Sequence, residues 1–389
     1  MQHILFLGRN GFFKRDFQRF QIDKLSKKFK VNFLDLSNLC NKKFYQKEKS
    51  NFFKTKKLIK VNSIKNFKKF LKKNKINCVL DISNPDSQML NIFRRIINEN
   101  NIKLVNFQTS LYPVFKRSFF LKIKYFLKIL FFNQNLLSYY IKKLSRLKIS
   151  TKKKQVSFFY DYIFCIGREG IISDNVKNKK TQHIFANSLD YEINKKYFKK
   201  IKKENFMLFL DQYLPYHNAY VHREIPPFVT PEKYYKSLNI FFEFLEKNFK
   251  TRVIVSAHPR SNYKNLENPF SNREIINFKR TNEFVSRSLA VINYSSTALS
   301  FAVIHKKPII FYTSNEINNS HDAYYVNFLS NQLGSTVCNI DNTFSLKKNK
   351  NLLKINKYKY KDYLNKYICH FKSEKNSNIN KIIKIINEN

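Results

Sequence analysis

Short apolar runs bounded by polar residues alternate along this chain with stretches whose apolar positions recur at helical spacing. In the first half the runs HILFLG (3–8), VNFLDL (31–36), NCVLDIS (77–83), KLVNFQT (103–109), YDYIFCIG (160–167) and QHIFANS (182–188) predict strands. Helical patterns over 16–29, 63–73 and 88–98 separate several of them. Near-continuous apolar strands that take turns with helices predict a parallel sheet buried on both faces.

The second half repeats the pattern. FMLFLDQ (206–212) reads as its first strand. Thr230, Pro231 and Glu232 then give a helix start, with Thr as cap, Pro at the first helical position and an acid in the first turn. Tyr234, Leu238, Phe241, Phe242, Leu245 and Phe249 follow at helical spacing, so one face of this helix is expected on the sheet. RVIVSA (252–257), a helix over 282–288, LAVINY (289–294), a helix over 297–305 and PIIFY (308–312) complete the unit. The expected organisation is an α/β domain over 1–190, a second over 205–345, and a Lys- and Asn-rich helical tail over 346–389 whose last helix spans 379–386.

One stretch breaks the alternation. Between residues 100 and 160 the chain has thirteen Lys or Arg and no Asp or Glu. On a helix over 136–148, Leu136, Leu137, Tyr140, Ile141, Leu144 and Leu147 fall within one arc of about 140°, with Lys142, Lys143 and Arg146 opposite. This predicts a basic amphipathic helical insertion in the first domain at about 112–157. Residues 112–148 suit an anionic membrane surface, the cations at the headgroups and the Phe and Leu side chains in the acyl boundary. A helical insertion packed on its own domain, its lysines solvated, has the same pattern.

Charge and composition change the picture less than their size suggests. Lys and Arg number 73 against 27 Asp and Glu, a net charge of +46, which by itself favours nucleic acid or an anionic membrane. The abundance of Lys, Asn, Ile and Phe beside 5 Gly and no Trp is also what A+T-rich coding DNA produces. No RNA- or DNA-binding module is recognisable, and the Phe residues follow buried patterns instead of an exposed stacking platform, so no specific nucleic-acid partner is expected. Cys40, Cys78, Cys165, Cys338 and Cys369 are odd in number and contain no C-x-x-C pair, which favours a reducing compartment and disfavours zinc. The N-terminal run is short and followed at once by charge, so it reads as a first strand and not as a signal peptide. No uncharged apolar run reaches the roughly 18 residues of a spanning helix. A cytoplasmic protein, peripheral at the inner face of the membrane, is the expectation.

Ligands of open α/β sheets bind outside the carboxyl ends of the strands. His258, Pro259 and Arg260 stand at one such end, and Ser295, Ser296 and Thr297 at another. A guanidinium fork and an imidazole can hold phosphate oxygens, and hydroxyls with free N–H groups at a helix start can seat an anion. Helix capping by the serines and a strand-ending turn at His258-Pro259 are the plainer alternatives. Asp211 and His217 lie in the loop after the first strand of the second half, and Glu169 occupies a comparable position in the first.

AHPRSNY and INYSSTALSFAVIHKKPIIFYTS together resemble the donor half of bacterial surface-carbohydrate glycosyltransferases of the GT-B fold, including sialyltransferase-like, Kdo-transferase-like and glycerophosphotransferase-like enzymes with an HP motif and a later Ser/Thr motif. The resemblance covers most of the chain outside 112–157 and the tail. It implies two Rossmann-like parallel-sheet domains facing a cleft, acceptor side first and nucleotide-sugar side second, with no essential metal and no cofactor. His258 and Arg260 would then contact the donor phosphate, and Ser295, Ser296 and Thr297 the phosphate or its ribose. The absence of a D-x-D carboxylate pair agrees with metal-free chemistry. A base for the acceptor hydroxyl is sought among Asp16, Asp86 and His258. Asp16 could equally pair with Arg15 or Arg19 at a helix start, and Asp86 could cap the next helix. The implied activity is transfer of a sugar from a nucleotide-activated donor to a lipid-linked or growing glycan of O-antigen, capsule or exopolysaccharide. Transfer of an alditol phosphate from a CDP-activated donor, or a non-catalytic scaffold of the same fold, are the alternatives.

Overall fold

In a computed structural model of the chain, residues 1–9, 11–83, 90–108, 110–115, 157–170, 178–194, 202–217, 220, 227–263, 267–320, 323–342, 351–373 and 377–388 are described. They form two units. One comprises Met1–Leu111, Lys154–Ile193 and Leu364–Asn389, the other Tyr112–Lys153 and Asn194–Tyr363.

The first unit is built on strands β1 (His3–Gly8), β2 (Lys30–Asp35), β3 (Leu58–Lys60), β4 (Cys78–Asp81), β5 (Lys103–Phe107), β6 (Tyr162–Ile166) and β7 (Gln182–Ala186). They pair in the order β3-β2-β1-β4-β5-β6-β7, every ladder parallel. Side chains of β1 alternate between two cores, as strand geometry requires. Leu5 and Leu7 join Phe67, Leu71, Phe93 and Ile97 on one face. Ile4 and Phe6 join Phe20, Leu25, Ile382, Ile385 and Ile386 on the other. The last three come from the terminal helix Asn378–Asn387, so the end of the chain completes the core of its beginning.

The second unit carries β8 (Phe206–Leu210), β9 (Arg252–Ser256), β10 (Ile275–Ile276), β11 (Ala290–Asn293), β12 (Ile309–Thr313) and β13 (Val337–Asn339) in the order β10-β9-β8-β11-β12-β13, again all parallel. In both units the first strand lies between the second and the fourth. The strand order reverses there, which makes the carboxyl ends of β1/β4 and of β8/β11 the topological switch points of their sheets. The described start of the expected insertion, residues 112–115, packs on the second unit, where Phe115 meets Phe328 and the Tyr325 hydroxyl donates to the Pro113 carbonyl. Residues 116–156 lie outside the described residues.

Several elements differ from expectation for identifiable reasons. The helix expected over 16–29 is two, Lys14–Arg19 and Ile22–Ser26, because Gln21 adopts a left-handed conformation (φ 49) that lets both Phe20 and Ile22 reach the core. Thr230 precedes the helix Pro231–Phe249 as expected but makes no cap bond; its N–H and hydroxyl go to Glu316, at 2.9 and 2.7 Å. Gly167 (φ +58) admits no side chain, since a Cβ there would lie 2.3 Å from the Lys366 carbonyl oxygen. Asp81, at the end of β4, is fully buried with Arg94: the guanidinium Nε donates at 2.8 Å and the Tyr160 hydroxyl at 2.7 Å to the same oxygen, while the other accepts the Ser83 N–H.

The helix Ile64–Lys73 also bears on function. Ser63 caps it by accepting the Asn66 N–H, and Phe67 and Leu71 anchor it on the sheet. Its outer side presents Lys65, Lys68, Lys69, Lys72 and Lys73, all exposed. Five of their pairings are three or four residues apart (65 with 68 and 69, 68 with 72, 69 with 72 and 73), and each like-charge pairing costs an isolated helix about 0.2–0.5 kcal/mol.

Candidate functional site

The switch point of the second sheet is organised by two consecutive residues after β8. Asp211 is buried, and its carboxylate closes an Asx-type turn by accepting the Tyr213 N–H at 2.8 Å. Its other oxygen accepts the His258 N–H at 3.3 Å and the Tyr263 hydroxyl at 2.9 Å, both from the loop that follows β9. Gln212 turns the opposite way: its Oε1 accepts both the N–H and the hydroxyl of Ser295, each at 3.1 Å, in the loop that follows β11. The dipeptide therefore fixes the loops on both of its neighbouring strands.

Within the first loop, the His258 Nδ1 accepts the Arg260 N–H at 3.2 Å. That bond requires a lone pair on Nδ1, so the neutral ring carries its proton on Nε2. Burial, with smaller contributions from His217 and Arg260, pushes the imidazole down to about 4. At neutral pH His258 is thus an uncharged donor through Nε2, and the tautomer leaves no lone pair there for a base. Arg260 is exposed, and the His217 ring lies 5.4 Å from that of His258. Burial raises Asp211 to about 6 despite the donors from Tyr213, Tyr263 and His258.

In the second loop, Ser296 gives its N–H to Asn293 Oδ1 at 3.0 Å, and its hydroxyl oxygen accepts from Ala298. The helix expected from Thr297 is the six residues Leu299–Ile304, with Ala298 at its start. The donors of Ser295 and the Ser296 amide belong to this internal network, and Thr297 is the exposed member of the trio. Asn293 is fully buried, with no protein partner for its Nδ2 among the described residues. Aromatic rings line the same strand end: Tyr213, held at φ 53, lies 5.1 Å from Tyr216 and 5.4 Å edge-on from Tyr263, and Tyr216 is 49% exposed. A residue held in the left-handed region costs about 1–3 kcal/mol and persists where its surroundings over-determine it.

The structure thus brings Asp211, His217, His258, Arg260 and Ser295–Thr297 to the carboxyl ends of adjacent central strands of one sheet. Asp16 and Glu169 belong to the first unit. The Asp16 carboxylate accepts the Phe13 N–H at 3.0 Å at its own helix start, while Arg19 pairs with Asp190 at 2.9 Å. Glu169 is exposed beside Arg168, 3.9 Å away. Asp86 lies outside the described residues. Gln212, Tyr263 and Asn293 escaped the sequence reading, although each follows or ends an apolar strand already singled out. Among the described residues no group of three His, Cys, Asp or Glu side chains is placed to hold a metal ion, and no helix is long and apolar enough to cross a membrane.

No protein-family model and no curated protein matches the chain by sequence. Solved structures do. The UDP-GlcNAc 2-epimerase of Methanocaldococcus jannaschii matches with a TM-score of 0.50 at 13% identity over 100% of both chains. A structure of S. aureus MnaA with UDP matches with 0.50 at 13% identity, over 100% of this chain and 97% of that one. Phytolacca americana apo UGT2 matches with 0.51 at 9% identity over 100% of both. The fold is GT-B-like. At these identities the likeness speaks for the two Rossmann-like parallel-sheet units of this GT-B-like chain and for nothing finer.

Proposed function

We propose that this GT-B-like protein is a glycosyltransferase that moves a sugar from a nucleotide-activated donor to a lipid-linked or growing surface glycan. The observation that carries the reading is the Asp211–Gln212 clasp. It holds the His258-Arg260 loop and the Ser295–Thr297 loop on either side of a switch point, where open α/β sheets receive phosphorylated ligands. His258 donates through Nε2 to a donor phosphate oxygen, and the exposed Arg260 guanidinium neutralises the charge that grows on the leaving diphosphate or monophosphate. Thr297 adds a hydroxyl to the phosphate or ribose. The His258 tautomer is committed to donation, which leaves Asp16 and Asp86 as the candidates for the acceptor's base. Residues 112–148 contact the anionic membrane that carries a lipid-linked acceptor.

The test begins with thermal stabilisation of the purified protein by CMP-, CDP-, UDP-, GDP- and dTDP-linked sugars, since a ligand that binds only the folded state raises the melting temperature. With the stabilising donor, Ala at His258 or Arg260 should lower turnover by about 10²–10³-fold in variants that still melt cooperatively. Full transfer in both variants would reject the site. Recovery of an alditol phosphate on the acceptor would redirect the reading to a CDP-alditol phosphotransferase.

A further inference from the structure

We propose that the β3 edge of the first unit, with the lysine face of the helix Ile64–Lys73, is a docking surface for an anionic lipid bilayer, built from residues other than those of the nucleotide site and of 112–148. Residues 41–75 contain fourteen Lys, no Arg and a single acid, Glu48. At the ratio of the whole chain, 27 acids to 73 bases, fourteen bases would be accompanied by about five acids. The depletion is therefore local.

The fold gathers these lysines. Residues 41–57 lead into the edge strand β3 and the helix follows it within four residues, so Lys54, Lys56 and Lys60 flank or end that strand next to the helix that carries Lys65, Lys68, Lys69, Lys72 and Lys73, and all eight are exposed. Among the described residues no acidic side chain pairs with any of them. On the helix the five lysines occupy an arc of about 140° over a length of about 12 Å. Neighbouring charges in the row stand within about one Debye length of each other, so they act as one field. Phe67 and Leu71 fix the opposite side on the core, so the helix cannot roll its charges apart.

The chemistry of the face favours a bilayer. Lysine is a compact point charge, without the planar fork by which arginine selects individual phosphates, and a row of lysines on a convex helix suits a diffuse anionic plane. Like charges that destabilise the isolated helix are relieved when such a plane neutralises them. The helix Pro231–Phe249 of the second unit supplies the contrast, because its Lys233, Lys236 and Lys247 are interspersed with Glu232, Glu243 and Glu246.

The test is co-sedimentation of the full-length protein with vesicles of phosphatidylglycerol and phosphatidylcholine in equal parts, and with phosphatidylcholine alone. K68Q/K69Q/K72Q should weaken binding to the anionic vesicles on the order of 100-fold. K233Q/K236Q/K247Q, with the same net charge, should change it less than threefold by the same electrostatics. Gln matches Lys in helix propensity and removes like-charge pairings, so the first triple variant should melt no lower than the wild type. Three results would overturn the proposal. One is equal losses in the two triple variants, which would mean bulk charge. Another is wild-type protein that ignores phosphatidylglycerol. The third is retention on double-stranded DNA, lost in K68Q/K69Q/K72Q, without vesicle binding.

Discussion

Replacing Asp211 by Asn tests the centre of the clasp. Burial raises this carboxyl from 3.8 to about 6. The folded state consequently binds the proton more tightly than the unfolded state, and stability is highest below about pH 4 and falls as pH rises through about 6. A displacement of about two pH units corresponds to about 3 kcal/mol. His258 and His305, both lowered by burial to about 4, work the other way: the unfolded chain binds their protons more tightly, so their contribution rises between about pH 4 and 6.5. The two imidazoles together outweigh the carboxyl, so the wild-type curve by itself does not show the contribution of Asp211. The difference between wild type and Asp211→Asn isolates the carboxylate. The variant keeps an oxygen for the Tyr213 N–H but turns an amide toward the donors of His258 and Tyr263, a cost that does not depend on pH. Followed by thermal melts across this range, the advantage of the wild type in Tm should shrink by about 6–12 °C between pH 4 and pH 7 for a unit of this size. A gap that stays constant with pH refutes the burial argument.

Two further variants probe the first unit. Arg94→Met leaves the Asp81 carboxylate buried with only Tyr160 and Ser83 as donors and should cost about 3–5 kcal/mol in urea unfolding; Arg94→Met with Asp81→Asn should recover part of that loss, because no uncompensated charge remains. Gly167→Ala meets both a left-handed backbone and the Lys366 carbonyl, so a loss of about 2 kcal/mol or more is expected, read as a lower Tm and faster proteolysis within 364–388.

The strands were legible because both sheets are parallel and buried on both faces, which turns each strand into an apolar run. The ends of β9 and β11 were legible too, since His-Pro-Arg and Ser-Ser-Thr interrupt such runs. What joins them was not. Gln212 and Ser295 are 83 residues apart, and only the strand order that sets β8 between β9 and β11 makes them neighbours. Thr230 shows the same limit: its sequence surroundings match a helix cap, yet Glu316, 86 residues on, takes both of its donors. The break at Gln21 has no sequence signal of its own; Phe20 and Ile22 must both be buried, and a residue in the left-handed region supplies the turn between them. Composition hid the lysine face, because an excess of +46 spread over the chain obscures a local want of acids.

The terminal helix has a consequence for synthesis. Its apolar residues belong to the core of strands made first, and Ile386 and Ile385 accept side-chain bonds from Gln2 and Lys103 through their carbonyls. A ribosome therefore finishes every strand of the second unit before it releases the piece that seals the first. Until then Ile4, Phe6 and Leu25 keep an uncovered apolar flank. A truncation that removes Asn378–Asn387 would thus damage the unit built on β1–β7, far away in sequence.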